Sequence, residues 1–253
     1  MTDLQRANFG KRIMSAIFDG ILLATLAVGL AALLSFSFGY DTALERYAAI
    51  MERYEQQYDV DVEMSTADMT EAETTAHNEK VDAVYQDLLK DEEFMSLYAK
   101  LSNMRMMILS FGLLGAVLIM ELMIPLLFGN GQTLGKKIFG IGLMHIEGVR
   151  ITGKQVFIRS VLGKYSVELM LPIYILIMTF TGGLGMVGWV LLASLLLAQI
   201  VCLIITRTNA PIHDIFASTV AVDLISQRIF EDIEDRDNYI KAIHAERAAR
   251  ADY

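Results

Sequence analysis

Four long apolar runs leave this chain few ways to fold. The first, KRIMSAIFDGILLATLAVGLAALLSFSFG at residues 11–39, is followed by runs at 106–128, 161–180 and 184–205. Each is close to the ~20 residues that a helix needs to cross the hydrocarbon of a bilayer. One all-apolar helix can be the core of a soluble protein; four in one chain predict four membrane spans. The first run exceeds the ~7–15 residues of a signal-peptide core, and no small-x-small site follows it, so it reads as a retained anchor. Cys202 is the single cysteine, so no intrachain disulfide is expected and the redox compartment stays open.

Charge orients the spans. Of the net −9, residues 41–103 contribute 16 acids and 5 bases, while the remainder holds 14 acids and 16 bases. A segment this acidic excludes nucleic acid and anionic lipid as its partners. The short segments are basic: Arg6, Lys11 and Arg12 before the first span, and Lys136, Lys137, Arg150, Lys154 and Arg159 against Glu147 at 129–160. The positive-inside rule then puts both termini in the cytoplasm and the acidic insert outside, in a multi-pass protein of the cell membrane. Four parts follow: 1–40, the cytoplasmic N-terminus and first span; 41–104, an acidic extracytoplasmic helical insert; 105–226, spans two to four with a basic cytoplasmic loop and an interfacial helix; and 227–253, a charged cytoplasmic tail. The expected fold is an all-α membrane protein, a four-helix transmembrane bundle carrying the insert and the interfacial helix.

In the insert, Leu44, Tyr47, Met51, Tyr54 and Tyr58 recur at helical spacing, as do Val81, Val84 and Leu88. Thr42 to Glu45, Ser65 to Asp68 and Thr70 to Glu73 each match a capping box. Asp91 is placed to open a further helix that runs into span two. Inside, GIGLMHIEGVRITGKQV alternates about Glu147-Gly148 and predicts a short hairpin. Pro211 opens the predicted interfacial or re-entrant helix over HDIFASTVAVDLIS.

The ionisable residues within the spans fall at one depth. Asp19, Glu121, Lys164, Glu168 and the amide Gln199 each lie four to eight residues from a cytoplasmic end, which at ~1.5 Å per residue is roughly 6–12 Å into the inner leaflet. A lone carboxylate there costs about 2.5–3.5 kcal/mol, so these groups are expected to meet one another. Arg12 lies seven residues before Asp19, too far along the axis for a direct bond, so Arg159 and Asp214 from flanking segments are the candidate partners. Lys164 and Glu168 form an i,i+4 pair. The candidate cluster is therefore Arg12, Asp19, Glu121, Arg159, Lys164, Glu168, Gln199 and Asp214, either an ionic clasp that fixes packing or an ion or proton site.

These residues also carry a resemblance. RIMSAIFDGILL with Arg12 and Asp19, GQTLGKKIFGI at 131–141, Arg159, and HDIFASTVAV with Asp214 resemble the RDD family of bacterial and archaeal membrane proteins, named for one arginine and two aspartates. The match covers residues 8–38 and 105–225. Ser218 stands where glycine is common in the family. The resemblance implies an integral membrane protein and, loosely, transport.

Other chemistry is missing from the sequence. GNGQTLGKK has Asn130 where a phosphate loop requires glycine and Lys137 where it requires Ser or Thr. His77, His145, His213 and His244 sit in four separate segments, and no nucleophile or metal motif is present. No enzyme, cofactor or metal is expected. The expected partners are the lipid bilayer and a second copy or another membrane protein. Two functions stay open: a small ion or solute transporter, proton- or sodium-coupled, using inner-leaflet carboxylates; and a non-transporting scaffold or regulator that binds a partner through the outer insert. A weaker third is a sensor in which the insert moves the inner polar layer.

Overall fold

A computed structural model describes residues 5–67, 69–206 and 208–251. In chain order it contains α1 (Phe9–Phe38), α2 (Tyr40–Tyr58), α3 (Glu71–Leu88), α4 (Glu92–Val117), a first π-helical segment (Leu118–Met123) and α5 (Ile124–Phe128). There follow α6 (Leu134–Ile138), β1 (Ile141–His145), α7 (Gly153–Phe157), a second π-helical segment (Ile158–Met170) and α8 (Leu171–Phe180). The last elements are α9 (Gly185–Ile205), α10 (Ile212–Ala217), β2 (Thr219–Asp223) and α11 (Ile233–Ala251). Among the described residues four continuous stretches are long and apolar enough to span a membrane: Phe9–Phe38, Glu92–Phe128, Gly153–Phe180 and Gly185–Ile205. Phe36, Leu127 and Met186 are 82%, 80% and 82% exposed, a pattern that suits helices covered by lipid rather than by protein. The chain is an all-α membrane protein, with one small sheet among the described residues.

Two compact units divide it, one formed by Gly29–Gly112 and the other by the residues up to Val28 with those from Leu113 onward. In the first of these, Ile50, Val84, Leu88 and Phe94 are buried together, with Tyr47, Met51, Tyr54 and Tyr58 against them. This is the apolar seam that the 3–4 spacing predicts. Thr70 and Glu73 make a reciprocal capping box at the start of α3. Thr42 to Glu45 does not cap, because α2 begins earlier, after Gly39 in a left-handed conformation. The Ser65 to Asp68 pattern ends on Asp68, outside the described residues. The Asp91 carboxylate accepts from the Glu93 and Phe94 amides at 2.9 and 3.1 Å and so opens α4, which continues without a break into the second span.

In the other unit the expected hairpin is replaced by a longer-range pairing. Residues 145–149 do turn, with the His145 amide donating to the Val149 carbonyl at 2.9 Å. The antiparallel partner of β1, however, is β2, in the register Ile141 to Asp223 through His145 to Thr219. The Ala7 amide donates to the Ala221 carbonyl and the Asp223 amide to the Gln5 carbonyl, both at 3.2 Å, so the N-terminal segment lies along the other edge of β2. Ile141, Leu143, Ile151, Val156, Ala221 and Ala7 form the core beneath it. The segment after Pro211 is accordingly a six-residue helix and then a strand, rather than one long interfacial helix. Ser218 is the break between them. Its φ of 52° ends α10, and a left-handed backbone there is the physical reason a glycine suits the position.

Candidate functional site

Asp19 meets its cost of burial with hydrogen bonds rather than a counter-charge. Thr133 Oγ1 donates to Asp19 Oδ2 at 2.5 Å, and the Gly135 amide donates to Oδ1 at 2.7 Å. Among the described residues no basic side chain lies within salt-bridge range of Asp19. Its partners therefore come from the loop after span two and not, as expected, directly from Arg159 or Asp214. The loop is shaped for this contact. Thr133 caps α6, accepting from the Lys136 amide at 3.3 Å, and Gln132 Nε2 donates to the Ile141 carbonyl at 2.7 Å. A β-carbon on Gly135 would lie 2.5 Å from the Ser15 carbonyl and 2.9 Å from the Asp19 carboxyl, so only glycine fits.

Arg159 is the hub of the layer. Its Nε donates to Asp214 Oδ1 at 2.6 Å and its Nη2 to His213 Nε2 at 2.9 Å, and its Nη1 lies 3.7 Å from Glu121 Oε2. Lys164 pairs with Glu121, not with Glu168. The winding explains the difference. Residues 158–170 are π-helical, with i→i+5 hydrogen bonds, so side chains five apart lie much nearer a common face than they would in an α-helix. Arg159 and Lys164 are five apart and converge on Glu121. Pro125, lacking an N–H, leaves the Glu121 carbonyl without its usual helical donor, and Ser160 Oγ donates there at 2.5 Å.

A guanidinium has only donors, so His213 Nε2 accepts from Arg159 and the ring proton sits on Nδ1, which donates to Glu168 Oε2 at 2.7 Å. Burial pushes the His213 imidazole below its ordinary value, in keeping with this neutral tautomer. Glu168 Oε1 also accepts from the His213 amide at 3.0 Å and the Gln199 amide group at 3.2 Å. Burial works against the charge of Asp214, but Arg159 outweighs it and holds the carboxyl well below the usual carboxylate range. Thr219 Oγ1 adds a 2.9 Å bond to the same oxygen that Arg159 holds. On Gly163 a β-carbon would sit 2.7 Å from the Cα and Cβ of His213, so glycine lets α10 lie directly on the π segment.

Seven of the eight residues expected to cluster line one cavity of about 420 Å³: Arg12, Asp19, Arg159, Lys164, Glu168, Gln199 and Asp214. The eighth, Glu121, is buried and is paired with Lys164. Lys136 and His213 line the cavity too. Sequence reasoning did not place Thr133, Gly135, Lys136 and Ser160 here. The conspicuous GQTLGKK loop was the available signal for the first three. Among the described residues there is no group of three or more His, Cys, Asp or Glu side chains that could hold a metal ion.

The sequence model described as the RDD family matches residues 6–218. No curated protein and no solved structure matches the chain.

Proposed function

The chain belongs to the RDD family of membrane proteins, and from that premise we propose that it is a small ion or solute transporter whose solute is held in the cavity of the polar layer. The observation that supports this most is the cavity itself. A clasp serving packing alone would close on its own ion pairs, whereas here about 420 Å³ remains open, walled by charged side chains from two spans, α6 and α10. Proton or sodium coupling falls to Glu168. Its side chain is 17% accessible, against 3% for Asp214, and its partners Gln199 and neutral His213 carry no charge. In sealed liposomes bearing a proton or sodium gradient, Glu168→Gln should lower flux by about tenfold or more while the thermal midpoint is kept. Unchanged flux would remove the carboxylate role, and a silent wild-type protein would remove transport.

One observation favours a scaffold or regulator instead. The unit Gly29–Gly112 builds its own aromatic-rich core, which a translocation path does not need. Deleting residues 45–98 and joining the ends with a short polar linker separates the two readings. Flux that survives the deletion favours the transporter, and a lost membrane partner with an intact fold favours the scaffold.

The proposed topology places both termini in the cytoplasm beneath the plasma membrane, with residues 41–103 outside, on the strength of the basic short loops. In a Cys202-free background, a cysteine at Thr74 should react with an impermeant thiol reagent in intact cells and one at Lys241 should not. The opposite labelling would invert the protein.

A further inference from the structure

We propose that the cavity takes a phosphate group, held by Arg12 and Lys136. The inference deepens the transport reading and rests on the same cavity being the working site. Most of the charges around the cavity are already paired. Each acid on the wall is engaged: Asp19 by Thr133 and Gly135, Asp214 by Arg159 and Thr219, Glu168 by His213 and Gln199. Arg159 and Lys164 are engaged by acids in turn. Arg12 and Lys136 are not. Arg12 spends one donor on the Asn209 carbonyl at 2.8 Å, and Lys136 makes a 3.5 Å contact to Thr133 Oγ1. Among the described residues neither has an acidic side chain within 4.0 Å. What the cavity offers a ligand is therefore donors and positive charge.

Those two side chains suit a phosphate. The arginine fork can bind two oxygens side by side and the ammonium supplies a point charge. A phosphomonoester carries about −1.5 to −2 at neutral pH, which two cations match, and the phosphodiester of a lipid headgroup carries about −1, which they also neutralise. Burial, with Arg159 and Lys164 adding to the effect and Glu121 and Asp19 opposing it, holds the Lys136 ammonium down to about 8. A bound anion would relieve that. The volume exceeds what a bare phosphate fills, and Phe9, Ile13, Leu23 and Leu203 line the remainder. This space accommodates the organic part of a phosphate compound, whether a free metabolite or a lipid headgroup with the start of its chains.

The test uses the full-length chain in dodecyl maltoside micelles. One arm measures binding of radiolabelled inorganic phosphate by equilibrium dialysis. The other measures retention of added phosphatidylglycerol against phosphate-free diacylglycerol by native mass spectrometry. We expect saturable binding in at least one arm. Binding of inorganic phosphate assigns a free phosphate compound, and selective retention of phosphatidylglycerol alone assigns a lipid. Arg12→Gln and Lys136→Gln should each weaken binding at least tenfold. Lys137→Gln should not, since Lys137 instead lies 3.8 Å over the Phe128 ring. Should Arg12→Gln fail to fold, Arg12→Lys keeps the charge, loses the fork and should still weaken binding. No binding in either arm, or full affinity in Lys136→Gln, overturns the inference. Cation flux without phosphate binding would remove this inference and leave transport standing; phosphate binding without flux of any ion would do the reverse.

Discussion

Arg159→Met should lower the unfolding free energy by about 3–5 kcal/mol, read as a large fall in the thermal midpoint of the detergent-solubilised protein. The side chain is 4% accessible and serves Asp214, His213 and Glu121 at once. Methionine fills much of the volume, so the loss is electrostatic. Asp214 keeps only Thr219 as a side-chain partner, and Glu121 keeps only Lys164. Glu121 is the more sensitive to this loss, because among the described residues its Oε2 is the one buried side-chain nitrogen or oxygen with no hydrogen bond, and Arg159 Nη1 lies 3.7 Å from it. Arg159→Lys should fall between, since one ammonium cannot make the fork that reaches Asp214 and His213 together. The exposed pair Arg250–Glu246, with side chains 79% and 63% accessible, supplies the contrast. Breaking it as Arg250→Met should change stability by less than about 1 kcal/mol. A loss at Arg159 no larger than at Arg250 would mean that the layer is not held by its charges.

That the charged residues would meet was legible in the sequence, because the cost of burying a charge in hydrocarbon is local and large. Asp19, Glu121, Lys164, Glu168 and Gln199 could be grouped by depth alone, and Arg159 and Asp214 joined them from the flanking segments. Who meets whom was not legible, for three physical reasons. The winding changes from α to π within two spans, and a uniformly apolar run hides that change because there is no polar face to drift. Pro125 and Pro172 each follow a π segment, in the first turn of α5 and of α8, but a proline by itself does not say how the turn before it is wound. Residues 141–144 and 219–222 are all buried, so the alternation that suggested a hairpin about Glu147-Gly148 carried no sign of β2, whose fully buried run shows no alternation of its own. Their pairing spans more than seventy residues, beyond any local pattern. Finally, the sequence points to Arg159 or Asp214 as partners of Asp19, whereas a hydroxyl and a backbone amide of the loop after span two take that place. The insert fared better, since Tyr47, Met51, Val84 and Leu88 sit on a half-solvated seam where spacing still reports the buried face.

The Asp19 cradle yields the second large effect, and it is testable from both sides. On one side, Gly135→Ala forces a β-carbon against the Ser15 carbonyl and the Asp19 carboxyl. Overpacking of this kind costs about 1–3 kcal/mol, and orphaning the Thr133 hydroxyl and the Gly135 amide adds about the same again. On the other side, Asp19→Asn should cost about 1 kcal/mol, because Oδ1 can still accept from Gly135 while the Thr133 hydroxyl rotates to accept from the new amide. Asp19→Leu strands both donors and should cost more than Asn, even though leucine is the better residue in hydrocarbon. Gly20→Ala, one residue further along α1 and with nothing within 4 Å of its β-carbon, should be neutral or stabilising by up to about 1 kcal/mol, as expected of alanine in a helix. The decisive measurement is a double-mutant cycle. If Gly135 is fixed as glycine by its approach to Asp19, then Gly135→Ala should cost about 1 kcal/mol less in an Asp19→Ala background than alone. Part of the clash remains in that background, with Ser15, so the coupling should not cancel the whole loss. Strictly additive costs would show that Asp19 and the loop after span two are held independently, and the hydrogen bonds from Thr133 and Gly135 would then not be what makes a carboxylate tolerable in the first span.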